Sequence, residues 1–426
     1  MRKLINLILL ICFLTLEFCT FSAEARVNKY VFLNIKTDLL PDKIKIIFGT
    51  NEPNVKRSKE IKNKKIITDL IDMLSKCQSY KLGNNKLSQF REGPNKIIFC
   101  WEDSKKEGIF YFNNGFPAYD GVILIDGKSY FLNDQLVVYI LSILEHKNPQ
   151  TEISSDVINL FRKYSWTVDY LIAKGTETLP KNLIHRAGEY PSKLFWAYVN
   201  YFLSDCGFSL KQYLGENINY EIYKLREITI IEGEPKGIVY RLPSKGIVLR
   251  YNNKIIGAYI DAEVDLCSLK RSTFYKITRK KWREIIYQYV DYNNEWEKKT
   301  STMSPVDVIK DYIKALDSHD RKKLWAYEPT YDLFYNLLTN LRDDKIYNHE
   351  NDYLYPNHNI KKIKLLSISE PQEWTYGSFK TLRYVVFVDV DFYEFVVQPD
   401  GKGNAFVHVY KENKNSGWKV FLSFCE

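Results

Sequence analysis

The chain has 426 residues, 45% of them hydrophobic and 27% charged, with a formal net charge of +9. That length predicts two or three domains, and the globular composition excludes a collagenous, low-complexity or disordered protein. The wealth of Lys, Asn, Ile, Tyr and Phe reads as a bias toward AT-rich codons rather than as a functional surface.

Residues 1–25, MRKLINLILLICFLTLEFCTFSAEA, combine a basic start at Arg2 and Lys3 with an apolar run from Leu4 to Leu16. Ala23 and Ala25 supply the small residues that a signal peptidase requires, and the run is short for a membrane span. We expect a signal peptide cleaved after Ala25, and therefore a secreted or extracytoplasmic protein. Lipidation at Cys19 is the alternative, against which Glu17 and Phe18 stand. Cleavage removes two cations and two carboxylates, so the formal charge stays at +9. Outside a cell, such a balance favours anionic wall polymers or a membrane surface over nucleic acid. Cys77, Cys100, Cys206, Cys267 and Cys425 remain, an odd and widely spaced set that is no disulfide framework. Cys206 with Cys267 is the one pair to consider.

Residues 27–148 predict an α+β domain. Ile44, Ile46 and Phe48 alternate as in a strand, and NEPNVKRSKEIKNKK reads as a solvated loop. Ile67, Leu70, Ile71 and Leu74 have helical spacing. Strands follow at KIIFCW and GIFYF, then a hairpin turning at Asp126-Gly127. Asp134 is placed to cap the helix LVVYILSIL.

Asn148-Pro149 breaks the pattern, and a second α+β domain is expected over 151–277. Ser155 is the predicted cap of its first helix. Its centre is the stretch PSKLFWAYVNYFLSDCGFSLKQYLG, a helix begun at Pro191 and ended at Gly207, with Phe208 folding back on Leu203. It is apolar nearly all round, which predicts burial. Strands then run to Val264, with a turn at Asn252-Asn253. Asp261, Glu263 and Asp265 share one strand face if the strand continues, a set of three oxygens for which no loop supplies the remaining calcium ligands.

The order Tyr164-Ser165-Trp166, Leu179-Pro180, the Tyr-rich helix, Gly207-Phe208-Ser209-Leu210, Tyr213, Gly215 and Ile255-Ile256-Gly257 resembles one uncharacterised family. That family is a domain of unknown function in exported proteins of low-GC Gram-positive bacteria. The likeness covers roughly residues 156–275. Ser165 stands where the family has glycine before its tryptophan, and Ala258 replaces a second glycine. The resemblance implies no catalytic residue.

Residues 278–303 read as a linker or an edge strand: Ile285, Tyr287 and Tyr289 alternate as a strand would, and the polar tail from Asn293 reads as the linker to a third domain. Ser304-Pro305-Val306-Asp307 opens a helix of the third domain, 304–426. Helices followed by strands at IKKIKLLSIS, LRYVVFVDVDFYEFVV, NAFVHVYKE and GWKVFLSF resemble the cone of the nuclear-transport-factor and cystatin-like superfamily. The likeness is carried by SPVDVIKDYIKALDSHD and VHVYKENKNSGWKVFLSF, and it implies a bent sheet wrapped round a helix with a pocket at its open end. The expected fold class is α+β, with three small domains each of antiparallel sheet plus helices.

No phosphate loop, HExxH, CxxC or GxSxG is present, and the six histidines lack metal-ligand spacing. No cofactor or metal is expected. One speculative pocket remains. Asp389, Asp391 and Tyr393 alternate along one strand, His408 lies on a neighbour, and Trp325 is placed to wall the cone. Alternatively the acids form a solvated sheet face. The expected function is a non-catalytic binding or interaction protein of the cell envelope, recognising a protein partner or small ligand. The alternative is a small-molecule hydrolase or isomerase using the cone pocket.

Overall fold

The computed structural model describes residues 40–48, 57–80, 92–112, 121–145, 153–232, 239–263, 265–339, 345–346, 359–376, 379–393 and 400–424. The expected signal peptide, its predicted cleavage position at Ala25, and Cys425 lie outside them. The described chain forms three antiparallel sheets with helices, an α+β architecture, and divides into two compact units.

The first unit comprises residues 1–152 and 225–244. Its sheet runs in the order β2-β1-β3-β4-β5-β6. The strands are β1 (Lys43–Phe48), β2 (Arg57–Ile61), β3 (Glu92–Cys100), β4 (Lys105–Phe112), β5 (Gly121–Ile125) and β6 (Lys128–Leu132). Helix α1 (Lys64–Ser75) buries the four residues expected, Ile67, Leu70, Ile71 and Leu74. Together with α2 (Asp134–Glu145) it closes a core over Ile44, Ile46, Phe99, Phe110 and Ile123. A crevice lined by Phe110, Phe112, Leu132, Val137, Ile140 and Leu141 encloses no water-sized space. Asp126 and Gly127 both take positive φ, as the hairpin requires.

Two local expectations change here. The basic segment RSKEI is not loop but the edge strand β2, paired with β1 from Ile44↔Ile61 to Phe48↔Arg57. Backbone pairing and burial of Ile61 outweigh its weak strand propensity, and the one lysine of the strand, Lys59, donates to the Ile143 carbonyl at 2.6 Å. Asn133, not Asp134, caps α2, accepting from the Leu136 N–H at 2.9 Å.

The second unit comprises residues 153–224 and 245–426. It opens with α3 (Ser155–Lys163), in which Ser155 is the first helical residue and Ser154 occupies the cap position. The central sheet has the order β11-β10-β9-β8-β7. Its strands are β7 (Val168–Thr178), β8 (Asn217–Glu232), β9 (Val239–Tyr251), β10 (Lys254–Asp261) and β11 (Leu266–Cys267), of which residues 225–232 and 239–244 count with the first unit. Asn252 and Asn253 make the predicted positive-φ turn.

Helix α4 (Ser192–Asp205) buries Leu194, Phe195, Trp196, Ala197, Tyr198, Val199, Phe202 and Leu203. It ends as expected. Gly207 is left-handed, the Phe208 N–H donates to the Leu203 carbonyl at 3.0 Å, and the Gly207 N–H donates to that of Ser204 at 3.1 Å. Tyr198 is ringed by Phe202, Phe274, Trp282 and Phe334, with centroids 4.9–5.1 Å away. Ser165 has φ 60°, a backbone conformation in which glycine is unstrained.

The supposed calcium face does not form. Strand β10 stops at Asp261, Glu263 turns left-handed, and each acid has its own partner. Asp261 pairs with Lys245 at 3.3 Å, and Asp265 accepts from the Tyr198 hydroxyl at 2.7 Å. Cys206 and Cys267 are unbridged.

Residues 278–303 are neither spacer nor edge strand. They continue from α5 (Phe274–Thr278) through α6 (Trp282–Ile285), a 3-10 turn (Ile286–Tyr289) and α7 (Glu295–Ser301). Trp282, Ile285 and Ile286 are buried in one continuous core that runs from Leu179 to Leu422. The alternation at 285, 287 and 289 looked strand-like, but helical burial of the adjacent pair Ile285 and Ile286 overrides it. Central and last sheets therefore share a single interior.

Helices α8 (Pro305–Asp317), α9 (Arg321–Tyr327) and α10 (Thr330–Thr339) precede the last sheet. Ser304 caps α8 through its hydroxyl, with Pro305 in the first turn. The sheet comprises β12 (Ile360–Ile368), β13 (Gln372–Tyr376), β14 (Phe379–Phe392), β15 (Gly401–Lys411) and β16 (Trp418–Ser423), ordered β12-β14-β15-β16 with β13 beside β14.

Candidate functional site

Strand alternation decides where the residues singled out in the last domain go. Along β14, Tyr384, Val386, Val388 and Val390 are buried, and they share an inner face with Val407, Val409, Val420 and Leu422. Helix α8 lies against β12, β15 and β16 and contributes buried Val308, Ile309, Tyr312, Ile313 and Leu316. The interior of the sheet is thus filled by the protein's own side chains.

The odd-numbered residues of β14 point the other way. Asp389 is half-buried, Asp391 is exposed, and Tyr393 is 59% exposed with its ring 6.2 Å from that of His319. Asp389 lies opposite Lys364 and Lys402, and Asp391 opposite Lys362.

His408 is opposite Arg383 in the register, six residues along β14 from Asp389, which is about 20 Å of strand. It is buried beside Phe421 and within 3.5 Å of the Thr381 hydroxyl. Trp325 is fully buried in the shared core, edge-on to Tyr190 at 5.7 Å. The structure therefore brings none of Trp325, Asp389, Asp391 and His408 into one constellation. The outer face does hold a cation–aromatic stack, with the Arg383 guanidinium 3.9 Å from the Phe406 ring and 4.6 Å from that of Trp374.

A different group of titratable residues converges inside the fold. Asn294 caps α7, which docks on the turn between β15 and β16. Glu297 of α7 accepts from the Gly417 N–H at 2.5 Å and from Lys419 Nζ at 2.8 Å. Lys419 also donates to the Ala326 carbonyl at 2.9 Å. The Thr330 N–H and hydroxyl donate to the two oxygens of Glu412 at 2.6 and 2.7 Å. A carboxylate just beyond β15 thus serves the first turn of α10, the positive end of its dipole. Glu328 accepts from the Tyr312 hydroxyl at 3.3 Å.

All these groups are buried, Glu297 to 1% and Lys419 to 2% exposure. Burial, reinforced by the charge of Asp332, raises the Glu328 carboxyl to about 8, against the pull of Tyr312 and Lys419. Burial likewise raises Glu412, opposed by Lys419 and by the hydrogen bonds from Thr330. His185 is buried too, and desolvation, then the charges of Lys419 and Lys193, lowers it to about 3.

Perturbed titratable groups are a common mark of active sites. Here they are packed into the body of the domain, and their hydrogen bonds join α7, α9, α10 and the β15–β16 hairpin. Among the described residues, no group of three or more His, Cys, Asp or Glu is arranged to hold a metal.

Sequence reading missed this cluster, because Glu297 and Lys419 meet across 122 positions and Thr330 and Glu412 across 82. The available signal was Lys419 itself, a lysine inside the apolar run WKVFL.

Residues 160–260 match the family profile of a domain of unknown function (DUF4830), and residues 306–421 match that of a second domain of unknown function (DUF4829). The first match falls inside the stretch on which the family resemblance rested. Neither profile covers residues 278–303, the segment that stitches the two regions into one core. No curated protein and no solved structure matches the chain.

Proposed function

We propose that this chain is an exported, non-catalytic binding protein of the bacterial cell envelope, of the kind found in low-GC Gram-positive organisms. It acts through its surfaces rather than through an internal site. One observation carries this reading. The inner face of the last sheet, where a cystatin-like cone would hold a small molecule, is occupied by α8, while the acid and imidazole candidates lie about 20 Å apart along the opposite face. General acid–base work requires both groups within hydrogen-bond reach of one substrate.

The leader supports export, and the reading predicts a mature N-terminus at Arg26. Intact-mass measurement of the protein recovered from the envelope tests that. A chain retaining residues 1–25, or carrying lipid on Cys19, would overturn the cleaved-signal reading. Binding itself is tested by exchanging Asp389 and His408 for Asn and Phe, which is expected to leave recovery of envelope components unchanged. A hydrolytic or isomerase activity abolished by either change would reverse the proposal in favour of an enzyme.

A further inference from the structure

Residues 270–283, KRSTFYKITRKKWR, contain seven lysines and arginines in fourteen positions and no carboxylate. The segment is pinned from beneath. Phe274 is buried against Tyr198 at 5.1 Å, and Trp282 against the same ring at 5.0 Å. Between these anchors the basic side chains face outward. Lys276, Arg279 and Lys280 are exposed, and none of the three has a carboxylate partner among the described residues.

Two acids border the patch. Asp205 is 3.8 Å from Lys270, and Glu284 is exposed at its far end. At its near end Arg271 stacks on Trp166 at 4.1 Å and donates to the Ser165 carbonyl at 3.2 Å.

The backbone adds an independent sign. Arg271 and Arg279 both sit in the left-handed region, at φ 63° and 61°. Glycine or asparagine adopts that conformation at less cost. The fold sustains this local strain and displays guanidinium groups at both turns. Arg279 closes α5 as its left-handed cap, its N–H donating to the Tyr275 carbonyl, so the turn that ends the helix also sets the guanidinium on the surface. Tyr275, 56% exposed, stands among the cations on the same short helix.

We infer that residues 270–283 form a docking surface for an anionic phospholipid bilayer, with Lys276, Arg279 and Lys280 facing the headgroups and Tyr275 at the interface. The surface is an exposed turn-and-helix segment, suited to a plane of phosphates. A tyrosine ring among lysines fits the headgroup layer, where one end is apolar and the other wet. Each such cation contributes roughly a fivefold gain in partitioning onto an anionic membrane. The inference rests on the extracytoplasmic reading, because only there does a lipid surface outcompete nucleic acid as the available polyanion.

The test is co-sedimentation of the purified protein with vesicles of phosphatidylglycerol and phosphatidylcholine. Wild type is compared with a K276Q/R279Q/K280Q variant carrying the same N-terminus. Wild type is expected to bind phosphatidylglycerol vesicles, to ignore pure phosphatidylcholine, and to be released at about 0.5 M salt, where the Debye length is roughly 4 Å. The triple variant is expected to bind about a hundredfold more weakly. Tyr275→Ser is expected to lose several-fold without altering the salt dependence.

Equal binding by wild type and triple variant would overturn the inference. So would absence of vesicle binding, or preference for polyphosphate or duplex DNA over vesicles. Thermal melts establish that the variant is folded, and if it melts early the single change Lys276→Glu gives the same readout. Export is read separately from the mature N-terminus, so an exported chain that ignores vesicles sinks this inference alone.

Discussion

Residues 270–283 and residues 294–303 lie close together in the sequence, separated by residues 284–293, and both are polar. The first displays its charges to solvent without carboxylate partners for Lys276, Arg279 and Lys280 among the described residues. The second drives Glu297 into the fold against Lys419. What separates them is what lies opposite. The aromatic anchors of the first lie beneath the chain, so its cations point outward. The second docks on a hairpin that offers an ammonium and a backbone N–H. Charge alone therefore says little about role. A charge with a buried, hydrogen-bonded partner is structural, and a charge kept unpaired on a strained turn is available to a partner.

This contrast can be broken from its buried side first. Lys419→Ala leaves Glu297 and its neighbouring carboxyls without their cation, and should destabilise the protein by about 3–5 kcal/mol in denaturant unfolding. The double variant E297Q/K419M should recover much of that loss; no recovery would mean the ion pair is not the latch.

Gly417→Ala comes next. A Cβ there would lie 1.8 Å from the Thr300 hydroxyl, so α7 must shift, at a cost of about 2–3 kcal/mol. Combining it with Thr300→Ala should restore part of the loss, and a lone Gly417→Ala variant of unchanged Tm would contradict the close docking of α7.

The pH dependence of stability comes third. Glu328 is raised from 4.5 to about 8, so the folded state holds its proton more tightly and stability falls as pH rises through that interval. Asp265, raised from 3.8 to about 6 mainly by burial, acts in the same direction over a lower range. His185 has the opposite sign. Lowered from 6.5 to about 3, it stays neutral when folded, so its contribution is present above pH 6.5 and is lost as pH falls toward 3. The carboxylate losses and the histidine gain oppose each other between pH 4.5 and 6.5. Above pH 6.5 a decline of about 2 kcal/mol by pH 8 should remain, and Glu328→Gln should flatten it. An unchanged slope in that variant would assign the titration to another group.

The smallest effects belong to the exposed side. Ser165→Gly should stabilise the protein by roughly 0.5–1 kcal/mol by relieving a left-handed serine. Lys276→Gln should leave the unfolding free energy unchanged to within about 0.5 kcal/mol, as expected of a surface charge that holds nothing in place.

Much of the fold was legible where one local signal acted alone. The ends of α4 were readable from Pro191, Gly207 and Phe208, because capping chemistry is decided within a few residues. The hairpins at Asp126-Gly127 and Asn252-Asn253 were readable for the same reason. Where two signals competed, the reading failed. RSKEI looked like loop by composition but is strand by pairing, and Ile285, Tyr287 and Tyr289 looked like strand by alternation but are helical by burial. The candidate pocket failed differently. The alternation of Asp389, Asp391 and Tyr393 was read correctly as one face of a strand, but which face met α8 depended on contacts far along the chain.

By itself the amino-acid order determined the fold class, the buried aromatic helix, its caps and the turns, since each follows from hydrogen bonds and apolar periodicity within about ten residues. Only the tertiary structure decided that two regions of unknown function share one interior, that Glu297 meets Lys419, and that the acids of β14 face outward. Those outcomes depend on the register and packing of elements a hundred or more residues apart, which local physical chemistry leaves open.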